Sequence, residues 1–433
     1  MAQLKKKSKS IVKDMIKSGK KSKGRDKIVL AYSGGLDTSV ILKWLINTYK
    51  AEVIAYCCDV GQKEDLAAVK EKALKTGASE AIVEDMKEEF AENYIFPILR
   101  GNALYEGAYL LGTSIARPLI AKRQIEIAAQ KGAKYVAHGA TGKGNDQVRF
   151  ELAYAAVNPE IKVIAPWREW DIVSRAELIK YAKDNGISVP VTKAKPYSSD
   201  KNLFHISYEG GILEDLESAP EESMFEITVS PEKSSNKPEK IEIEYKNGNP
   251  IALNKKKMNP FNIIDALNLI AGRNAIGRAD IVETRITGMK SRGVYETPAG
   301  TVLSFAHRVM ESITLTGEEI ELKNSLVPQY SKLIYEGSWF SPELKAVQSL
   351  IDSTQTSVNG TIGLELYKGN IKVLYRKSKN SLYSQNIVTF EDDKGSYSQN
   401  DATGFIHLKS LRYKIQGQNS ILSLSQNGKR NAN

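Results

Sequence analysis

Cysteine is scarce in this sequence. Among its 433 residues there are two cysteines, Cys57 and Cys58, and they are adjacent. Successive residues of a β-strand point to opposite faces, so we expect no disulfide bond between these two side chains. The scarcity of cysteine excludes a disulfide-stapled secreted domain and favours a reducing, cytoplasmic compartment.

Long apolar runs are also missing. No stretch of about 18 or more consecutive apolar residues occurs, which argues against a membrane-spanning helix. The first residues contain no apolar segment of the kind found in secretory signals, and we expect no such signal. Hydrophobic residues make up 41% of the chain and charged residues 26%, which is usual for a globular protein. The length predicts two or three domains.

Positive charge is concentrated at one end of the chain. The net charge is +10, but residues 1–27 contain eleven Lys or Arg and two Asp, which leaves about +1 for the remaining 406 residues. A nearly neutral body argues against a nucleic-acid-binding protein. We expect residues 1–24 to form a disordered basic extension, with a short amphipathic turn on an acidic surface as the alternative.

Strand and helix patterns alternate in the first half of the chain. Short apolar runs predict strands at residues 27–32, 52–58, 80–83, 135–137 and 162–166. Amphipathic segments predict helices that end at residue 49 or span residues 65–75, 113–130, 147–156 and 174–183. This alternation predicts an α/β fold with a doubly wound, parallel, five-stranded sheet of the Rossmann-like type. Ligands of such sheets bind beyond the carboxyl ends of the strands.

The pattern changes after Pro196. Alternating apolar and polar residues around Asn-Gly and Gly-Asn turns predict hairpins over residues 241–253 and 364–375. Helical stretches lie between the hairpins at residues 260–271 and 298–312. These elements predict a second domain of the α+β class.

A glycine-rich turn follows the first predicted strand and reads AYSGGLDTS from Ala31 to Ser39. Glycines let backbone N–H groups approach a phosphate, and the following helix points its positive N-terminus at the same place. The lysine of a Walker A loop is missing. The segment instead resembles the PP-loop of ATP pyrophosphatases, enzymes that cleave ATP between the α- and β-phosphates. A turn that only links strand to helix is the alternative.

Asp37 is the acidic residue of this turn. Mg²⁺ takes one or two carboxylates beside phosphate oxygens, so we expect Asp37 to lie near a magnesium ion. The simpler interpretation is an acid that complements the helix dipole, an interaction worth about 0.3–1 kcal/mol. Both interpretations can hold together.

A second polar, glycine-rich segment runs from His138 to Phe150 and reads HGATGKGNDQVRF. It follows the fourth predicted strand, so both glycine-rich segments should converge at one edge of the sheet. Arg149 lies four residues after Asn145, one helical turn on, so that both side chains can face one ligand. Lys143 is either a phosphate ligand or a solvated loop residue.

Together, AYSGGLDTS and HGATGKGNDQVRFE resemble the signature segments of the argininosuccinate synthase family. Further segments agree with that family in order and spacing, namely VGQKED at 60–65, YLLGTS at 109–114, residues 203–211, GMKSRGVYETPAG at 288–300 and DATGFI at 401–406. The resemblance runs from about Lys27 to Leu411. It does not cover residues 1–24.

This resemblance implies an ATP-dependent carbon–nitrogen ligase. Such an enzyme uses ATP and Mg²⁺ to join citrulline to aspartate through a citrullyl-adenylate, giving argininosuccinate, AMP and pyrophosphate in arginine biosynthesis and the urea cycle. The resemblance also implies a cytoplasmic homotetramer. Its parts would be an ATP-binding PP-loop domain at 25–195, a synthetase domain at 196–385 and an oligomerisation segment at 386–433.

The resemblance also assigns residues to each substrate. ATP would be held by Ala31, Tyr32, Ser33, Gly34, Gly35, Leu36, Asp37, Thr38, Ser39, Cys58 and Gly139. Citrulline would be held by Tyr109, Ser114, Asn145, Arg149, Ser198, Ser207, Glu283 and Tyr295. Aspartate would be held by Thr141, Asn145 and Asp146, with Thr113 and Arg117 close by. The catalytic residues would be Ser33, Asp37 and Asp146, with Asp37 also the metal ligand.

The residue types suit these roles. Arg149 can bind the carboxylate of citrulline and Glu283 its ammonium group, through charge-assisted hydrogen bonds worth about 1.5–3 kcal/mol each. Cys58 departs from the small residue of the family, so its role would rest on backbone contact. Taken singly, some residues have simpler explanations, namely packing for Tyr109, loop or cap contacts for Ser198 and Ser207, and a surface ion pair between Glu283 and Arg285.

Two other functions stay open at this point. A PP-loop enzyme that acts on RNA, such as a tRNA-thiolating or lysidine-forming ligase, would need a basic body and, for thiolation, separated cysteines. A catalytically silent relative would be expected to lose a residue of one loop, whereas both loops are intact.

Overall fold

The computed structural model describes residues 25–172, 174–188 and 197–430, with side chains described as far as residue 421. The basic extension predicted for residues 1–24 lies outside the described residues. Within the described part, no helix is long and apolar enough to cross a membrane. The described residues form two compact units, one that ends at Asn380 and one that begins at Ser381.

The first unit begins with a five-stranded, all-parallel sheet in the order β3-β2-β1-β4-β5. Its strands are β1 (Lys27–Ala31), β2 (Glu52–Asp59), β3 (Glu80–Asp85), β4 (Tyr135–Ala137) and β5 (Lys162–Ile164). The helices are α1 (Leu36–Tyr49), α2 (Leu66–Thr76), α3 (Lys87–Phe90), α4 (Phe96–Arg100), α5 (Gly112–Lys131), α6 (Asp146–Val157) and α7 (Arg175–Asp184), with a π-helical turn (Ala91–Ile95) between α3 and α4. The predicted α/β fold and its parallel sheet are confirmed.

The parallel sheet is buried on both faces, which explains why its strands read as continuous apolar runs. In β1, Ile28 and Leu30 belong to the apolar cluster that contains residues of α1, whereas Val29 belongs to the cluster that contains residues of α5. All three side chains are fully buried. Truncation of such a side chain to alanine typically costs about 2–5 kcal/mol. The sheet is therefore a rigid platform for the loops at its carboxyl edge.

Two antiparallel sheets follow in the same unit. One has the order β11-β12-β7-β6 and the other the order β10-β9-β8-β13-β14. Their strands are β6 (Ser198–Lys201), β7 (Ile206–Glu209), β8 (Glu239–Lys246), β9 (Asn249–Leu253), β10 (Lys256–Lys257), β11 (Arg278–Thr284), β12 (Lys290–Glu296), β13 (Gly360–Tyr367) and β14 (Asn370–Lys377). The helices are α8 (Pro260–Arg273), α9 (Pro298–Thr314), α10 (Gly317–Tyr335) and α11 (Pro342–Thr354). Both predicted hairpins and both predicted helices are confirmed, whereas the four-stranded sheet, α10 and α11 were not predicted.

The second unit contains α12 (Gln385–Val388) and the long helix α13 (Asp401–Arg430). The polar sequence in this part of the chain led to no helix prediction. Large apolar side chains are exposed along α13, namely Phe405, Ile406, Leu408, Leu411, Tyr413, Ile415 and Ile421. The domain boundaries proposed after residues 195 and 385 stay predictions.

Candidate active site

Two adjacent strands bring both glycine-rich segments to the same edge of the parallel sheet. β1 pairs with β4 in parallel, with Leu30 opposite Ala137. Residues 32–35 and 138–145 follow the carboxyl ends of these two strands. The strand order changes direction at β1, which is where doubly wound sheets bind their ligands. The predicted convergence of the two segments is confirmed.

A cavity of about 730 Å³, called the larger cavity below, lies at this edge of the sheet. Of the residues assigned to ATP, it is lined by Ala31, Tyr32, Ser33, Gly34, Gly35, Thr38, Cys58 and Gly139. Leu36, Asp37 and Ser39 lie in the first turn of α1 and are not among its lining residues. The predicted PP-loop thus forms one wall of the larger cavity.

The loop presents backbone and hydroxyl groups to the larger cavity. Gly34 has a φ of +77°, a conformation that favours glycine. Ser33 Oγ lies 3.1 Å from Thr38 Oγ1 and accepts a long hydrogen bond from Gly35 N at 3.4 Å. Ser39 is turned inward, since its hydroxyl donates to Gly35 O at 2.7 Å. Ser33 and Thr38 therefore line the cavity beside the N-terminus of α1, an arrangement that suits a phosphate group.

Asp37 is half-buried in the first turn of α1. Burial raises the pKa of its carboxyl group, and the positive charge of Arg175 partly opposes that rise. A carboxylate in this place is stabilised by a cation or by the helix N-terminus. Among the described residues there is no group of three or more His, Cys, Asp or Glu able to hold a metal ion.

A second cavity of about 300 Å³, the smaller cavity, adjoins the first. Of the residues assigned to citrulline and aspartate, it is lined by Tyr109, Thr141, Asn145, Asp146, Arg149, Ser207, Glu283 and Tyr295. Five residues line both cavities, namely Arg117, Gly139, Ala140, Asp146 and Asp200. The two cavities thus adjoin each other along these five residues, which form a shared wall.

Three residues singled out in the sequence lie elsewhere. Ser114 is fully buried in α5, and its hydroxyl has no hydrogen-bond partner among the described residues. Ser198 is exposed at the start of β6. Lys143 is exposed in the loop before α6 and lines neither cavity. Their proposed contacts with substrates stay predictions.

Asp146 lies between two arginines at the start of α6. Its carboxylate accepts hydrogen bonds from Arg117 Nε at 2.9 Å and from Arg149 Nη1 at 2.7 Å. Arg117 also forms an ion pair with Asp200. Burial would raise the pKa of Asp146, but the two guanidinium groups outweigh burial and hold that pKa below its usual value. Asp146 is therefore ionised and is a better hydrogen-bond acceptor than proton acceptor.

A buried acid and a buried guanidinium line the smaller cavity. Glu283 is 9% exposed; one carboxylate oxygen accepts a hydrogen bond from Tyr295 Oη at 3.2 Å, and the other has no hydrogen-bond partner in the described part of the chain. Burial raises the pKa of Glu283 to about 7, although Arg149 opposes the rise. Arg149 is 3% exposed and lies over the ring of Tyr335 at 5.0 Å from its centroid. A zwitterion could satisfy both groups, with its ammonium at Glu283 and its carboxylate at Arg149.

Several residues around the smaller cavity were missed in the sequence. Arg285 forms an ion pair with Glu209 at 2.9 Å, and both residues line the cavity. Glu283 is buried, so the simpler explanation of a surface ion pair between Glu283 and Arg285 is wrong. Tyr335 accepts a hydrogen bond from Asn145 Nδ2 at 2.8 Å and thereby supports the loop before α6. Glu209 lies in a segment that the family resemblance covers and could have been found there. Tyr335 lies outside those segments and depends on tertiary packing alone.

His205 is a buried histidine beside the smaller cavity. Its Nε2 lies 2.8 Å from Thr113 Oγ1, and its ring stacks on Tyr295 with centroids 5.9 Å apart. Burial, with Arg117 and Arg149 nearby, lowers the pKa of His205 to about 3. The imidazole therefore stays neutral at physiological pH. Its contact with Thr113 Oγ1 holds the Thr113 side chain beside the smaller cavity.

Comparison with known proteins accounts for nearly the whole described chain. The model of the "Arginosuccinate synthase N-terminal HUP domain" matches residues 27–188, and that of the "Arginosuccinate synthase C-terminal domain" matches residues 197–416. Argininosuccinate synthase of Desulfatibacillum aliphaticivorans is 57% identical over 91% of this chain and 98% of its own. The enzymes of Syntrophobacter fumaroxidans and Geobacter sulfurreducens are each 56% identical over 90% of this chain, and over 97% and 96% of their own.

A solved structure shows a much weaker likeness. The U34-tRNA thiolase NcsA from Methanococcus maripaludis is 17% identical, with a TM-score of 0.27 over 41% of this chain and 61% of that chain. So weak a likeness carries no functional argument. The two family models and the high identity to the bacterial enzymes agree with each other and with the two loops at the sheet edge. This chain belongs to the argininosuccinate synthase family.

Proposed function

We propose that this chain joins L-citrulline to L-aspartate at the expense of ATP and releases argininosuccinate, AMP and pyrophosphate. The observation that carries the proposal is the shared wall of the two cavities. A phosphate-type loop borders one cavity, and charges that suit a zwitterionic amino acid border the other. An enzyme that activates an amino acid at the α-phosphate of ATP needs its two substrates bound next to each other.

In the first step, the ureido oxygen of citrulline attacks the α-phosphorus of ATP. A new oxygen–phosphorus bond forms, the bond from the α-phosphorus to the β-phosphate oxygen breaks, and pyrophosphate leaves with the electron pair. Backbone N–H groups of the loop around Gly34 and Gly35, together with the Ser33 hydroxyl, would stabilise the charge that develops on the phosphates. The product of this step is citrullyl-adenylate.

In the second step, the amine of aspartate attacks the activated ureido carbon. A carbon–nitrogen bond forms, the bond from carbon to the AMP oxygen breaks, and the nitrogen loses a proton. Thr141, Asn145 and Asp146 would hold aspartate for this attack. The pKa of Asp146 is held low by its two arginine partners, so we assign it to orient the amine and not to remove the proton.

Magnesium belongs to the proposal as the companion of ATP. Mg²⁺ supplies positive charge that neutralises the phosphates, and Asp37 would be its protein ligand. The residue type and place fit this role, because the half-buried carboxyl group of Asp37 lies in the first turn of α1, directly after the phosphate-type loop. Protein groups would otherwise hold the nucleotide through backbone and hydroxyl contacts.

An RNA acceptor, as in tRNA-modifying PP-loop enzymes, has no observation in its favour. Thiolation needs separated cysteines, and the two cysteines of this chain are adjacent, free and buried. The smaller cavity, at about 300 Å³, has the size of an amino-acid site. We therefore retain the amino-acid ligase as the function.

Two measurements test the proposal. Pyrophosphate should appear from ATP and Mg²⁺ only when citrulline and aspartate are both present, which a coupled pyrophosphate assay can follow. With ¹⁸O in the ureido group of citrulline, mass spectrometry should find the label in AMP. Label in argininosuccinate or in water would contradict the adenylate intermediate.

We further propose that the enzyme assembles as a homotetramer in the cytoplasm. The exposed apolar side chains along α13 support assembly, because a helix with so many of them is poorly stable when isolated in water. The two free thiols support a reducing compartment. Sedimentation of the full chain should give four times the monomer mass of 47.9 kDa, and a monomeric species at micromolar concentration would contradict the proposal.

A further inference from the structure

We infer that Lys72, in the second helix of the parallel-sheet domain, is a positioning residue for the phosphate-binding loop. Its ammonium group fixes the orientation of the peptide group between Gly34 and Gly35, so that the N–H of Gly35 points to the nucleotide side. This inference rests on the proposed binding of ATP at the larger cavity. It adds a residue that lies outside both glycine-rich segments.

The contact is direct. Lys72 Nζ donates a hydrogen bond to Gly34 O at 2.7 Å, across 38 residues of sequence. The same helix, α2, also presses on the loop through Val69, whose methyl carbon would lie 2.9 Å from a Cβ placed on Gly34. Gly34 has a φ of +77° and can follow this close approach only because it lacks a side chain. Helix α2 therefore contacts the loop at Gly34 through two of its side chains, Val69 and Lys72.

The geometry of the peptide group links the carbonyl of Gly34 to the N–H of Gly35. A trans peptide is planar, with its C=O and N–H pointing in opposite directions, and the described chain contains no cis peptide bond. When Lys72 holds the carbonyl of Gly34 toward α2, the N–H of Gly35 must point away from α2. That N–H lies 3.4 Å from Ser33 Oγ, and both residues line the larger cavity.

A glycine pair needs such an anchor. With no Cβ on either residue, the Gly34–Gly35 peptide can rotate through conformations that other residues exclude. A rotated peptide would turn a carbonyl oxygen, which is repelled by phosphate, toward the ligand. The ammonium of Lys72 also adds a positive charge next to a loop that would bind a polyanion.

Two lysines of α2 differ in a way that supports a dedicated role for Lys72. Lys72 is half-buried, and burial lowers the pKa of its ammonium, as expected for a group whose partner is an uncharged carbonyl. Lys75, three residues later, has 74% of its side chain exposed and pairs with Glu71 at 2.6 Å. Lys75 is an ordinary solvated helix residue and provides a matched control.

The test compares Lys72→Met, Lys72→Arg and Lys75→Met in the full-length enzyme. Hydrogen bonds to charged groups predict that Lys72→Met raises the KM for ATP about tenfold to a hundredfold. The inhibition constant of pyrophosphate, the product that leaves this loop, should rise in parallel. The KM values for citrulline and aspartate should change by less than about twofold, because Lys72 lines neither cavity. Lys72→Arg should recover most of the ATP affinity, and Lys75→Met should match the wild type.

The outcomes separate this inference from the proposed function. If the wild-type enzyme releases no pyrophosphate with its two amino acids, the proposed function fails. If the wild type is active and Lys72→Met leaves the KM for ATP unchanged, this inference fails and the function stands. A general loss of stability would lower the active fraction, and with it the apparent kcat, without a selective change in the KM for ATP, and would not be restored by arginine. That pattern, read from thermal unfolding beside the kinetics, would also overturn the positioning role.

Discussion

The two cavities are lined by different kinds of groups. One wall of the larger cavity is formed by consecutive residues, 31–35, which apart from Tyr32 offer backbone groups and small side chains. The smaller cavity is bordered by long side chains from separate elements, such as Arg149 on α6, Glu283 on β11 and Tyr295 on β12. Recognition through the backbone tolerates side-chain changes but not changes of chain conformation. Recognition through side chains shows the reverse sensitivity.

A substitution in the wall shared by both cavities should have the largest effect on activity. Asp146→Asn removes the carboxylate that pairs Arg117 with Arg149 and takes the charged partner from the buried guanidinium of Arg149. We expect kcat/KM for aspartate to fall on the order of a thousandfold, which corresponds to about 4 kcal/mol. The KM for citrulline should rise much less, as steady-state kinetics with each substrate varied in turn will measure.

The matched control for Asp146 is Asp280→Asn. Asp280 also pairs with an arginine, Arg292 at 2.6 Å, but lines neither cavity. The Asp280→Asn substitution should leave the KM values for citrulline and for aspartate within about twofold of the wild type. Equal damage by Asp146→Asn to the use of citrulline and of aspartate would show that the division between the two amino-acid sites is wrong.

Activity that depends on the larger cavity should respond most to a change in the backbone conformation of its loop. Gly34→Ala puts a methyl group 2.9 Å from Val69 and holds alanine at a φ of +77°. Displacement of one aligned N–H donor typically lowers the rate by about 10²–10³-fold, so we expect kcat/KM for ATP to fall about a hundredfold. Citrulline binding, followed by calorimetry without ATP, should hardly change.

Gly132→Ala isolates the strain of a positive φ. Gly132 has a φ of +66° but open space around its Cβ position, at the end of α5. Its replacement should cost about 1–2 kcal/mol of stability and leave the KM for ATP unchanged. If Gly34→Ala loses no more activity than Gly132→Ala, the loop does not depend on the close approach of Val69.

A change of pH should affect the smaller cavity, which is lined by ionisable side chains. Burial raises the pKa of Glu283 to about 7, so in the free enzyme this carboxyl is ionised above that pH and neutral below it. The ammonium of citrulline needs the ionised form. We expect kcat/KM for citrulline to fall about tenfold per pH unit below pH 7 and to level off above it. Glu283→Gln should raise the KM for citrulline about tenfold and abolish this pH dependence. The same slope in Glu283→Gln would assign the titration to another group.

The smallest effect on activity is expected for Cys58, whose side chain lies at the larger cavity. Cys58 is 6% exposed at the end of β2 and lines the larger cavity. If it meets the nucleotide through its backbone, Cys58→Ala should change the KM for ATP by less than about twofold. Loss of the buried sulfur should lower the free energy of unfolding by about 1 kcal/mol, measurable by urea denaturation. A tenfold change in the KM for ATP would mean that the thiol itself contacts the ligand.

The same contrast explains what could be predicted from the sequence. The parallel sheet was predictable because its strands are buried on both faces and read as apolar runs. The end of α2 was predictable because Gly77 follows it in the left-handed conformation that glycine favours, with a φ of 113°. The phosphate-type loop was predictable because its chemistry lies in consecutive residues. Both depend on local sequence alone.

The rest could not be predicted because it depends on tertiary structure. Strands such as β11 mix charged and apolar residues, with a burial pattern that follows no simple period, and they became recognisable only when paired with β12 and β7. Nothing in the local sequence indicates that Tyr335 supports Asn145, 190 residues away. Helix α13 was missed for a different reason, because its apolar residues are spread through a polar sequence.

The shared wall has a thermodynamic consequence. Arg117 contacts Asp146 and Asp200, and all three residues border both cavities. A polyanion that enters the larger cavity and a zwitterion that enters the smaller one would therefore act on the same three charges. By linkage, whatever factor ATP applies to the affinity for an amino acid, the amino acid must apply to the affinity for ATP. The order in which substrates bind can then differ between cells with their concentrations, while the energy of the fully loaded enzyme stays the same.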